Sequence, residues 1–235
     1  MPASSTRLAR FSLTLFAAAL CTAAVSCSAL SQPAPGKAFF SIDPGEPTPV
    51  APSPAVAPAV AATTTASPPA SSPADSALQV RRLRIASPYD GQEFVYRTSS
   101  NEYRTDYYNG FIAAPDQLLT AALTAWLSRA RVGRFASVVD AASDIPARYV
   151  LEGNVTSLYG DYADKAAPKA VITIKIFLFD DGDANARVIF QKEYSAAAPI
   201  ELGSAPSLVK GWSQAFRQVL EQITADLNQR FPAGT

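Results

Sequence analysis

The chain has 235 residues, with 20 Lys and Arg balanced by 20 Asp and Glu, 19 prolines, two cysteines and no histidine. The charge balance supplies no electrostatic ground for binding nucleic acid, which calls for a basic face. The missing histidines remove Ser-His-Asp and Cys-His nucleophiles, His-ligated zinc and the usual general base near neutral pH. No spacing of carboxylates, or of Ser with Lys, marks another catalytic or metal centre. The expectation is a non-enzymatic protein with no catalytic residues, no metal and no cofactor.

Chain order begins with Arg7 and Arg10, then an apolar run from Phe11 to Val25 that is too short to span a bilayer comfortably. Ala24, Val25 and Ser26 follow directly before Cys27. A basic region, an apolar region and a small-residue cleavage site form the layout of a secretory signal peptide, here residues 1–26. The cysteine at the cut makes it resemble a bacterial lipoprotein signal, although Ala24 stands where that signal usually has Leu. The resemblance implies cleavage between Ser26 and Cys27 and acylation of Cys27. Acyl chains contribute about 0.8 kcal/mol per buried CH₂, enough together for stable anchoring. Ser28 occupies the position where lipoproteins kept in the inner membrane carry Asp, which implies the outer membrane, facing the periplasm. Ordinary secretion with Cys27 as an incidental thiol is the alternative. Removing residues 1–26 takes two basic residues and no acid, leaving a net charge of −2 and Cys27 as the sole cysteine. No intrachain disulfide is then available, so the fold rests on its hydrophobic core.

Residues 27–77 read as the lipidated cysteine and a Pro/Ala-rich linker. Nine prolines fall between positions 44 and 77, spaced mostly by Ala, Ser, Thr and Val. Such a segment buries too little to offset its ordering entropy and is expected to be disordered and polyproline-like. About thirty such residues at about 3.1 Å each reach roughly 90 Å, which reads as a tether holding the domain off the membrane. One apolar island, residues 38–42, is long enough for an edge strand, and whether it joins the main sheet is open.

The folded domain is expected over residues 78–235 as an α+β fold, an antiparallel sheet packed by two main helices. Gln79 to Ile85 suggests a strand, and Glu93–Arg97 with Glu102–Tyr107 a hairpin across residues 98–101. Pro115 opens a helix with Asp116 at its positive end; Leu118, Leu119, Ala122, Leu123, Trp126, Leu127 and Ala130 form its stripe, and Gly133 ends it. Strands are predicted from Arg148 to Tyr159, Ala170 to Phe179 and Ala186 to Tyr194. The middle one carries Ile172, Ile174, Ile176 and Leu178 on one face. The acidic cluster Asp180-Asp181-Gly182-Asp183 reads as a hairpin turn, lacking the ligand spacing of a calcium loop. A long helix from Ala205-Pro206, capped by Ser204, carries Leu208, Trp212, Phe216, Val219, Ile223 and Leu227 toward that aliphatic face.

Taken together, Cys27, the strand Phe39-Phe40-Ser41-Ile42, the run Glu93-Phe94-Val95-Tyr96-Arg97, the stretch Asn101 to Tyr108 and the two helices resemble the ABC-type transport auxiliary lipoproteins of the PqiC-like kind. The Pro-rich insert is long for that family, and Phe111 or Tyr108 would stand in for a tryptophan that many members carry before the first helix. The resemblance implies a non-catalytic, lipid-anchored auxiliary subunit. Its partners would be an MCE-domain protein with an ABC permease and ATPase, moving lipids between the inner and outer membranes. An envelope assembly lipoprotein and a periplasmic lipid-binding carrier are the alternatives, and homo-oligomerisation is left open. Tyr and Arg dominate protein interfaces, so the expected partner-binding residues are Tyr103, Arg104, Tyr107, Tyr108 and Phe111. Core roles compete at Tyr107, Tyr108 and, most strongly, Phe111.

Overall fold

A computed structural model describes residues 36–47, 73–182 and 185–233. The signal peptide, Cys27 and the Pro-rich residues 48–72 lie outside the described residues. The elements are β1 (Ala38–Phe40), β2 (Ala77–Val80), β3 (Arg84–Ile85), β4 (Glu93–Arg97), β5 (Tyr103–Phe111), α1 (Pro115–Ala130), β6 (Ser137–Asp140), β7 (Tyr149–Asp161), β8 (Lys169–Asp180), β9 (Arg187–Pro199) and α2 (Ala205–Arg230). A single 3-10 turn, Pro73–Ser76, precedes β2.

Among the described residues, all nine strands join one sheet built around β7. On one side β7, β8 and β9 pair antiparallel along nearly their whole lengths. The other edge of β7 takes three short parallel strands in succession: β2 at its start, β3 in its middle and β4 at its end. The sheet forks there. Beyond β2 lies β6, parallel; beyond β4 lies β5, antiparallel, and then β1, parallel to β5. The expected α+β architecture is thus present, as a mostly antiparallel sheet with parallel additions along one edge.

Alternation along β8 decides which side is core. Ala170, Ile172, Ile174, Ile176 and Leu178 are buried, and their neighbours on the opposite face are half-exposed. Helix α2 lies over the buried face, with Leu208, Trp212, Phe216, Val219, Ile223 and Leu227 inaccessible to solvent. Ser204 caps it, its hydroxyl accepting from the Ser207 N–H at 3.2 Å. Helix α1 buries Leu119, Leu123, Trp126 and Leu127, and the Trp126 indole N–H donates to the Thr224 hydroxyl of α2 at 3.0 Å. Its chain leaves the helix at Arg131, which adopts the left-handed conformation (φ 48°) two residues before Gly133. The predicted strands run longer than expected: β9 continues past Tyr194 to Pro199 because Ala196 and Ala198 are small enough to sit beneath α2. The short β6 (Ser137–Asp140) was not predicted from the sequence.

The beginning of the folded unit differs most from expectation. Residues 38–40 do join the sheet, and one compact unit runs from Lys37 onward. Phe40 packs on Phe94 (ring centroids 5.6 Å apart), Ile42 and Pro44 are buried, and the Asp43 N–H donates to the Ser213 hydroxyl of α2 at 3.1 Å. The Pro-rich residues 48–72 therefore connect two strands of one unit. The covalent distance from Cys27 to the folded unit is set by residues 28–36 alone. Among the described residues no helix is long and apolar enough to cross a membrane.

Candidate functional site

The aromatic stretch singled out in the sequence is β5, and the structure divides it into parts with different fates. Phe111 is a core residue, 2% exposed. Its ring lies 4.8 Å from that of Phe94 and 5.3 Å from that of Trp212, so it fastens β5 to β4 and α2 and leaves the candidate contact set. Next to it, Gly110 allows the strands to meet. A Cβ there would stand 2.8 Å from the Gln92 carbonyl oxygen, the group that accepts the Phe111 N–H at 2.7 Å.

At the other end of β5, Tyr103 lies on the sheet face opposite the helices. The register Tyr103–Arg97–Asp161 runs across β5, β4 and β7. There the Arg97 guanidinium donates through Nε (3.1 Å) and a terminal nitrogen to both oxygens of Asp161, which is 5% exposed. The same guanidinium sits 5.3 Å from the centre of the Tyr159 ring. Tyr103 meets Tyr159 edge-on at 5.8 Å, and Tyr89 stacks on it at 5.9 Å. The hydrogen bonds from Arg97 hold the Asp161 carboxyl below its usual range. Burial, helped by the neighbouring Tyr103, pushes the Tyr89 phenol up to about 12. Three tyrosines and a fixed arginine thus form a rigid, partly exposed aromatic platform, of a composition common at interface anchors. Arg104, paired with Tyr96, lies on the opposite, helix-side face; it is exposed and held at 2.6 Å by Glu102, the residue before β5.

Between these ends Asp106 breaks the strand's alternation. Its carboxylate accepts the backbone N–H groups of Tyr108 (2.8 Å) and Asn109 (3.0 Å), the Asn109 side-chain amide (2.9 Å) and the Tyr96 hydroxyl. This knot turns Tyr107 and Tyr108 outward, 81% and 46% exposed, their rings edge-to-face at 5.1 Å. Burial pushes the Asp106 carboxyl up, but the hydrogen bonds from Tyr96, Asn109 and the two backbone groups outweigh it and hold it below its usual range. A depressed folded-state value means the unfolded chain binds the proton more readily. The knot's stabilisation is complete above the unfolded value, about 3.9, and is lost as pH falls through the folded one. Hydrogen exchange of the Tyr108 and Asn109 amides, corrected for intrinsic rates, is expected to show protection at neutral pH that disappears in acid. In Asp106→Asn that pH dependence is expected to vanish.

Phe39 and Ile112, 52% and 64% exposed, belong to the same edge and were missed in the sequence. Phe39 is paired with Gly110 by a parallel register that no local pattern reveals. Ile112 lies just past the strand, its N–H donated to the Phe40 carbonyl at 2.8 Å.

With this architecture, comparison shows two solved structures of similar fold. One is a Xanthomonas campestris protein of the DUF330 family: 21% identity, 64% of this chain and 83% of that one covered, TM-score 0.56. The other is an uncharacterized protein at 21% identity, covering 64% of this chain and 90% of that one, TM-score 0.53. No curated protein is significantly similar in sequence. The sequence itself matches the family described as ABC-type transport auxiliary lipoprotein component over residues 59–224, more than half of its length. The chain belongs to the ABC-type transport auxiliary lipoprotein component family.

Proposed function

We propose that this protein is the non-catalytic, lipid-anchored auxiliary subunit of an MCE-linked ABC-type envelope transporter that moves lipids between the inner and outer membranes. Cleavage after Ser26 leaves Cys27 as the acylated first residue, and the domain works at the periplasmic face of the outer membrane. The permease, the ATPase and the MCE-domain protein are separate polypeptides, and this subunit docks on them.

The observation that carries the docking role is the platform of Tyr103, Tyr159, Tyr89 and Arg97 on the sheet face opposite the helices. Its members hold one another in place, so little side-chain entropy is lost on contact with a partner. The lipid-carrier alternative fits less well. The space between sheet and helices, where a carrier's ligand would sit, is filled by Phe94, Phe111, Trp212, Ile172 and Ile174.

Mild crosslinking in intact cells, affinity purification and mass spectrometry test this reading. The expected partners are an MCE-domain protein with its permease and ATPase. A partner set without any transporter component overturns it. Tyr103→Asp is expected to reduce partner recovery about tenfold or more, the loss typical of a central interface anchor, without altering the melting temperature by more than about 2 °C.

A further inference from the structure

The chain reaches the folded unit at Lys37, at the outer edge of β5. Ala38 pairs with Asn109 in a parallel register, so the segment arriving from Cys27 meets the sheet at the Tyr108 end of that strand. Only nine residues, 28–36, intervene between Cys27 and Lys37. Even fully extended they span about 35 Å, counting roughly 3.3–3.6 Å per residue. The covalent tether from Cys27 therefore enters the domain at this edge.

That edge is where exposed apolar side chains concentrate. Tyr108 and Ile112 stand two residues either side of Gly110, the partner of Phe39, and Phe39, Tyr108 and Ile112 are all exposed along this edge. Tyr107 projects beside Tyr108 from the Asp106 knot. Lys37 lies at the margin, its ammonium 5.7 Å from the Phe39 ring centre and 3.5 Å from Glu93.

We propose that Phe39, Tyr107, Tyr108 and Ile112, with Lys37 at their margin, form a lipid-surface contact that lays the β1–β5 edge against the bilayer holding Cys27. The inference rests on acylation of Cys27. Amphipathic tyrosine rings sit at headgroup level, phenylalanine and isoleucine enter the acyl boundary, and a lysine reaches the phosphates with its stem along apolar surface. Acylation alone leaves a domain free to pivot about its linker. A second contact fixes which face points away from the membrane, and the Tyr103 end of β5 is then presented to the transporter.

The mature chain makes the test clean, because acylation consumes its sole thiol. Full-length lipidated protein carrying Tyr107→Cys or Val188→Cys is labelled with a nitroxide and reconstituted into phosphatidylethanolamine–phosphatidylglycerol vesicles. Relaxation by oxygen relative to an aqueous nickel chelate then reports immersion. The expected ratio is about threefold higher at 107 than at 188, and it falls at least by about half when Phe39→Ser and Ile112→Ser are added. Equal ratios at the two positions overturn the proposal. So does a probe at 107 that stays aqueous in vesicles and is immobilised only in native membranes containing the transporter, which assigns the edge to a protein partner. Wild-type protein is the separate control: if it takes up label, Cys27 is a free thiol and the acylation reading fails by itself.

Discussion

A chain beginning at residue 73, which keeps every element from β2 onward, is expected to lose about 4–6 kcal/mol of stability, a large part of the 5–15 kcal/mol a domain usually has. Residues 37–47 look expendable in the sequence because a Pro-rich tract follows them. In the structure Ile42 is 4% exposed and Phe40 completes an aromatic group with Phe94, Phe111 and Trp212. Truncation opens that group to water and strips the outer edge of β5. Denaturant unfolding measures the effect. Ile42→Ala alone is expected to cost about 3 kcal/mol, and Phe39→Ala, on the exposed side of β1, within about 0.5. An unchanged midpoint for the truncated chain would show β1 to be an appendage, not part of the core.

Gly133→Ala is expected to be nearly as costly, about 3 kcal/mol, lowering the melting temperature by roughly 6–12 °C for a domain of this size. Gly133 has φ 52°, where a Cβ is strained. The added Cβ would also stand 2.1 Å from the Phe231 carbonyl oxygen, and it would meet backbone rather than a side chain able to swing away. This point fastens the two helices at their C-terminal ends. The Gly133 N–H donates to the Asn228 side chain at 2.6 Å, and the Arg134 N–H to the Phe231 carbonyl at 2.9 Å. Phe135 then packs between Phe231 and Tyr149. A thermal melt within about 2 °C of wild type would mean the joint can open without cost.

What could be read from the sequence was what local pattern encodes. The stripe of α2, its Ser204 cap, the aliphatic face of β8 and the β4–β5 hairpin each follow from residues within one or two turns of chain. The turn at Asp180 did too, although its carboxylate also accepts two hydrogen bonds from Arg148, a partner 32 residues away. The first strand was legible as an apolar island, but its place in the sheet was not, because three residues gain that place only by pairing with β5 about 70 positions later. The same limit hid the aromatic edge. Period-two reading cannot separate Phe39 from Phe40, and the Asp106 knot interrupts the alternation that would sort Tyr107 and Tyr108 from Phe111. Acylation of Cys27 rests on chemistry local to the signal and stands apart from the fold.

A division of labour along β5 follows from the two proposals. Tyr107 and Tyr108 belong to the edge near the anchor, and Tyr103 to the platform shared with β4 and β7, while Arg104, paired with Tyr96, turns to the helix side. The Arg97–Asp161 pair stiffens that platform, so a contact at Tyr103 reports on a defined surface rather than on a mobile loop.

The most direct measurement is site-specific photo-crosslinking in intact cells, with the reactive side chain placed at Tyr103 and, as the comparison, at Val188 on the far strand of the sheet. The expected result is a crosslink from position 103, and none from 188, to an MCE-domain protein of the transporter. A crosslink from 103 to an unrelated envelope protein, or equal capture from both positions, would contradict the docking account.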